Sequence, residues 1–242
     1  MSEFFLELFS EEIPAGLQKN LREKIFEDFK NLFEEKSIRS KKNFSFSTPN
    51  RLVLVFEGLD KQIKIKSKEI RGPKTSAPEQ ALEGFLRSNK INKKDLFKKK
   101  TEKDEFYFYK TVATSLKTHD LLTEFIPKIL SNYQWKKSMK WGEFDLNWGR
   151  PLKSILSIFD KKIVSFKFHH LTSSNLTFLD KDFEDKKRSF ENFKKYEKFF
   201  EDNGVIVNQN KRLKIINKSF LKILGKKGLK INENPKLMDE VV

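Results

Sequence analysis

The sequence predicts an α+β fold of mixed strands and amphipathic helices, arranged as two small packed domains. Three observations lead there. The run RLVLVFEGL is strand-sized and nearly all apolar, whereas LQKNLREKIFEDFKNLFEEK places Leu17, Leu21, Ile25, Phe29, Leu32 and Phe33 at three- and four-residue steps. Both patterns then recur in alternation along the 242 residues, enough chain for one large core or two modest ones. The expected partition is an N-terminal α+β domain over 1–115 and a second α+β region over 116–242.

Taken in order, FFLELFSEEIPAG begins as an alternating strand and turns polar before Pro14, a helix-start residue. The helix over 17–36 follows, then strands at Phe44–Phe46 and Leu52–Phe56 separated by Pro49. KQIKIKSKEI alternates lysines with Ile63 and Ile65, which predicts a strand with a basic outer side. RGPKTSAPEQ reads as a loop, and Pro78 opens a helix whose core face is Leu82, Phe85 and Leu86. DLFKKKTEKDEFYFYKTVA predicts a lysine-rich loop and a strand from Phe106 to Val112. HDLLTEFIPKILSNY is helical, with Asp120 as its cap and Pro127 as a kink or break. PLKSILSIFDKKIVSFKF predicts a short helix, a turn at Asp160–Lys162 and a strand. SFENFKKYEKFFEDNG is a helix capped by Gly204, VIVNQNKRLKIINKSFLKIL an apolar run and a further amphipathic helix, and Pro235 starts another.

Composition excludes several classes of function. With no Cys there is no disulfide framework or thiolate chemistry, and no apolar run reaches membrane length. The first residues lack a basic leader, so the expectation is a cytoplasmic protein without membrane association. Glycine-rich nucleotide cradles are absent, His169 with His170 lacks spaced metal partners, and no nucleophilic triad can be assembled, so no catalytic and no metal-binding residue is assigned.

The formal net charge of +16 points toward polyanions, because cations that neutralise phosphates release counterions. The excess is mostly Lys and accompanies abundant Asn, Ile and Phe, so an AT-rich coding drift gives the same balance. The cationic positions best suited to RNA are Arg71 and Lys74 beside a Gly-Pro, Arg87 on the next helix, and Lys136, Lys137, Lys140 and Arg150 among the indoles of Trp135, Trp141 and Trp148. Cations interleaved with aromatics suit phosphates and unstacked bases. Indoles packed into a core turn, beside solvated lysines, are the other reading.

KSMKWGEFDLNWGRPL, between a helix and SILSIFDKKIVSFKF, resembles the signature of the beta subunit of bacterial heterotetrameric glycyl-tRNA synthetase. FLELFSEEIPAG, FSTPNRLVLVFEGL, EIRGPK with ALEGFLRSN, DNGVIVNQNKRLKII and NENPKLMDEVV resemble further stretches of that family in the same order. Lys140 and Asn50 stand where the family carries arginines. The resemblance implies an N-terminal portion of a longer multidomain subunit that binds and positions tRNA(Gly). It also implies a partner alpha subunit holding the class II active site, with ATP and Mg there and no cofactor in this chain. The Trp-rich span would then be a structural junction between helix and strand. A stand-alone basic RNA-binding module is the alternative, and an interaction protein with a drifted surface is a third reading.

Overall fold

A computed structural model describes residues 2–65, 67–101, 104–180, 187–232 and 234–242. The chain divides into two compact units, one made of 1–61 with 117–242 and the other of 62–116. This differs from the expected partition at 115/116, for a simple reason of pairing. The first strand and a strand near residue 155 are neighbours in one sheet, so both halves of the sequence build the larger unit.

The larger unit begins with β1 (Glu3–Ser10), α1 (Ala15–Glu35), β2 (Lys42–Thr48) and β3 (Arg51–Glu57). The smaller unit contributes β4 (Gln62–Ile65), β5 (Glu69–Lys74), α2 (Glu79–Asn89), β6 (Leu96–Lys100), β7 (Glu105–Lys110) and β8 (Thr114–Lys117), of which Lys117 already belongs to the larger unit. The chain continues with α3 (Thr118–Asn132), β9 (Leu152–Phe159), β10 (Lys162–Ile163), β11 (Lys167–Phe168), β12 (Leu171–Thr172), β13 (Leu176–Phe178) and β14 (Lys187–Ser189). It ends in α4 (Phe193–Asp202), α5 (Gln209–Lys227) and α6 (Pro235–Val241). The fold is α+β.

The main sheet runs β10-β9-β1-β3-β2, antiparallel throughout. Because successive side chains alternate between faces, central β1 must be apolar on both sides if both are covered, and Phe4, Phe5, Leu6, Leu8 and Phe9 are all buried. On one face, Phe4 meets Phe29 and Phe33 of α1 at 5.4 and 6.4 Å, and Phe33 stands edge-on to Phe56 at 5.0 Å. On the other, Phe5 meets Tyr196 of α4 at 4.9 Å and Phe46 stacks on Phe193 at 5.4 Å. Each such ring contributes roughly 1.5–3 kcal/mol of burial. Helix α4 is held at both ends. Asn192 caps its start, Glu3 accepts a 2.8 Å hydrogen bond from the Phe193 N–H, and Gly204 at φ +80° closes a terminal motif in which Val205 N–H donates to Phe200.

Four elements differ from expectation. PLKSIL is the strand β9, because it lies beside β1 and is covered on both faces, so its apolar residues do not alternate. Arg71–Lys74 lies in β5, where Gly72 and Pro73 form a bulge opposite Tyr107. The lysines at 98–100 are in β6, an edge strand, and the loop expected after them includes residues 102 and 103, outside the described ones, as is Lys66 in the basic alternation before it. Helix α3 passes through Pro127 without a break, and Asp120 sits in its first turn, not at the cap, which is Lys117. The turn at Asp160 and Lys161 is a two-residue hairpin with both φ values positive, at 50° and 67°. Among the described residues no helix is long and apolar enough to cross a membrane.

Candidate nucleic-acid interface

The indole cluster sits between α3 and β9. Trp148 is 2% exposed and packs edge-on against Trp135 at 5.0 Å and Phe168 at 5.8 Å, with Tyr133 beyond Trp135 at 4.8 Å. Its backbone exchanges two hydrogen bonds with Met139, at 2.9 and 3.1 Å, which closes the loop 139–148 at its base. Trp141 is half-buried against the His170 ring, and Phe144 stacks on His170 at 3.7 Å. Burial first, and His169 second, lower the pKa of His170, which favours a neutral imidazole in that stack. The cations of this span lie outside the cluster. Lys136, Lys137 and Lys140 are exposed, with Lys140 only loosely approached by Asp145 at 3.9 Å, while half-buried Arg150 donates to the Gly149 carbonyl at 2.8 Å.

In the smaller unit the strands order β5-β7-β6, and direct cross-strand partners share a face. Arg71 opposite Phe108, Phe97 opposite Phe108, and Lys99 opposite Phe106 therefore lie on one side of this sheet. The Arg71 guanidinium lies 3.6 Å from the centre of the buried Phe106 ring, and Phe97 stacks on Phe108 at 6.0 Å while staying 38% exposed. A guanidinium flat on a ring keeps its N–H edges free for phosphate or a base edge. Lys99 is tied to Glu69 at 2.9 Å, Lys74 to Asp104 at 2.7 Å, and Arg87 is 3.7 Å from Glu83 on the exposed side of α2. Residues 62–116 carry fourteen Lys and Arg against seven Asp and Glu, so the unit is strongly cationic after these pairs form.

Arg71, Lys74 and Arg87 thus belong to one unit and Lys136, Lys137, Lys140 and Arg150 to the other. The sequence reading missed Phe97, Lys99 and Phe108 as companions of Arg71. The available signal is the alternation of Phe106 and Phe108, which puts both rings on one face, but the lysine-rich composition of the partner strand β6 predicts a loop.

The larger unit also buries a polar group that no motif announced. Glu7 and Arg51 are both buried, with Arg51 Nε 3.1 Å from Glu7 Oε1, and the Tyr196 hydroxyl donates to that same oxygen at 2.5 Å. Arg51 also donates to the Phe178 and Leu179 carbonyls at 2.6 Å and lies between the Phe9 and Phe200 rings. Burial pushes the Glu7 carboxyl above the usual range, against the opposing pull of Arg51 and then of the Thr177 and Tyr196 hydroxyls. The group is buried and ties β1, β3, α4 and the Phe178–Leu179 segment together. Among the described residues no cluster of three or more His, Asp or Glu is arranged to hold a metal ion.

A family model described as glycyl-tRNA synthetase beta subunit matches residues 4–242. Curated relatives include the glycine–tRNA ligase beta subunits of Rickettsia canadensis, 37% identical over 241 residues, and Rickettsia bellii, 38% identical over 241 residues. That of Rickettsia felis is 36% identical over 243 residues. Each comparison covers 100% of this chain and 36% of the relative, so the chain spans about a third of the length of the curated relatives it matches. With the match running from Phe4 to Val242, the chain belongs to the glycyl-tRNA synthetase beta subunit family.

Proposed function

We propose that this chain is the N-terminal, tRNA-facing portion of a glycine–tRNA ligase beta subunit. In this reading it works in the cytoplasm beside an alpha subunit that joins glycine to ATP, with Mg, and attaches it to tRNA(Gly). The alpha and beta subunits form an α2β2 assembly. No residue of this chain acts on the glycyl group, and ATP and Mg belong to the alpha subunit. The observation that carries the reading is the family match over 4–242. The cationic sheet face of Arg71, Lys99, Phe97 and Phe108 supports RNA as the ligand, since it pairs cations for phosphates with ring faces for bases. Lys136, Lys137, Lys140 and Arg150 beside the indole cluster supply a second cationic area, and Trp135, Trp141 and Trp148 act as the junction that fixes it.

The test is charging of tRNA(Gly) by the assembled enzyme, with glycine-dependent ATP–pyrophosphate exchange as the second readout. Arg71→Glu with Lys99→Glu is expected to weaken tRNA binding roughly tenfold and to lower the salt slope by about two. Exchange, which needs no tRNA, should be unchanged. An unaltered KM for tRNA refutes the assigned face. Binding of all tRNAs with equal affinity and no charging with any alpha subunit would favour a stand-alone RNA-binding module.

A further inference from the structure

Helix α5 has a charge pattern unlike the other long helices of the larger unit. Helix α1 carries four basic and five acidic residues, and α4 carries three of each. Helix α5 carries seven basic residues and no acidic one over Gln209–Lys227. Compositional drift adds lysines but does not remove every acid from one helix and place the lysines in register. Lys211, Lys214, Lys218, Lys222 and Lys226 follow at steps of three and four. At about 100° per residue they fall within an arc of about 120° and run for about 22 Å along the helix. The opposite face carries Leu213, Ile216, Phe220 and Leu224.

The ridge has a fixed base. Asn208 accepts from the Asn210 and Lys211 N–H groups at 3.0 and 3.2 Å, and Gln209 donates to the Ser45 carbonyl of β2 at 3.1 Å. Arg212 is directed away from the lysines and donates to the carbonyls of Ile206, Val207 and Ser47 at 2.6, 2.9 and 2.8 Å. Its pKa falls to about 10 through burial first and the charge of Arg22 second, so it remains a cation at neutral pH. Lys211 is ion-paired to Glu201 of α4. Among the described residues Lys214, Lys218, Lys222 and Lys226 have no ion pair, and all four are exposed.

We infer that the lysine face of α5 is a ridge that follows the sugar–phosphate backbone of an RNA strand. This rests on the reading of the protein as an RNA-handling subunit and extends it to a surface that the motifs did not mark. Ammonium groups one helical turn apart stand at a spacing close to that of successive phosphates along a strand. Four unpaired point charges bind such a backbone without reading bases. An anionic membrane surface is the competing partner for a basic amphipathic helix. On the apolar side Leu213, Ile216 and Leu224 are half-buried, while Phe220 is 39% exposed with Leu221 and Ile223 at 72% and 52%, so binding to RNA and to vesicles has to be measured side by side.

The experiment compares the full chain with a variant carrying Lys214→Ala, Lys218→Ala, Lys222→Ala and Lys226→Ala. A control carries Lys162→Ala, Lys167→Ala, Lys194→Ala and Lys198→Ala, which removes the same charge from scattered exposed sites. Affinity for tRNA(Gly) and for an unrelated tRNA is measured against salt. The ridge variant is expected to lose about a hundredfold in affinity at low salt and to lower the salt slope by about three, equally for both RNAs. The four Lys→Arg replacements should retain binding, and the control should change little. Equal effects of ridge and control, or no RNA binding by the unaltered chain, overturn the ridge. So does selective loss of binding to phosphatidylserine vesicles with RNA affinity intact. A ridge effect present on both tRNAs, in a protein that shows no preference for tRNA(Gly), supports the ridge and counts against the ligase reading.

Discussion

Replacing Arg51 by Ala is expected to lower the unfolding free energy by about 3–5 kcal/mol, measured by denaturant unfolding at pH 7.5. The reason is the carboxylate left behind. Glu7 is 0% exposed at the centre of the main sheet, and Arg51 is the cation 3.1 Å from it. Removing the guanidinium also frees the Phe178 and Leu179 carbonyls and opens a gap between the Phe9 and Phe200 rings. The pH dependence has a definite sign. Burial already raises the Glu7 pKa, and Arg51 is the largest influence holding it down, so the variant raises it further. A carboxyl with a raised folded-state pKa is most favourable below its unfolded value of about 4.3 and becomes costly as pH rises through the folded value. The stability deficit of Arg51→Ala should therefore shrink as pH is lowered from 7.5 to 5. The pair Glu7→Leu with Arg51→Met, which leaves no uncompensated charge, should be far less destabilising than the single change. A loss below 1 kcal/mol with no pH dependence would mean that the pair is solvated and does not organise the core.

The same pair marks the limit of what the sequence can reveal. Leu21, Ile25, Phe29, Leu32 and Phe33 were legible as a buried face because a helix repeats every 3.6 residues, and all five are buried. Gly204 was legible as a helix stop because a positive φ suits glycine. Strand β9 was not, because Leu152, Ile155, Leu156 and Phe159 are spaced as a helix would space them while a strand covered on both faces needs no alternation. Nothing local in the sequence marks Glu7 and Arg51, because the carboxylate meets its arginine only through the pairing of β1 with β3. The smaller unit was hidden for a related reason. Its insertion between β3 and α3 shows only through the pairing of β1 with β9, a contact between residues far apart in sequence. Of the candidate RNA contacts, the cations were visible as residues, but Phe97 and Lys99 join Arg71 only through sheet register.

Trp148→Ala is expected to cost about 3–5 kcal/mol, as for any large buried aromatic, and Gly149→Ala tests the same cluster with a single methyl. A Cβ at Gly149 would lie 2.1 Å from Cζ3 of Trp135 and 2.5 Å from its Cε3, so the Trp135 ring has to leave its place. The overpacking cost is typically about 1–3 kcal/mol, and the displaced indole should show a red-shifted emission. Gly84→Ala provides the contrast. It lies in α2 with nothing within 4 Å of the added carbon, and is expected to stabilise by about 0.4–1 kcal/mol. Gly149→Ala also separates two roles for the exposed lysines nearby. It removes no charge, yet it disturbs the packing that carries the loop of Lys136, Lys137 and Lys140. If the indoles position those lysines toward tRNA, affinity falls in Gly149→Ala while the lysines themselves are intact. If tRNA affinity holds although the emission shifts, the indoles serve stability alone, and the cations bind from a loop that needs no fixed shape.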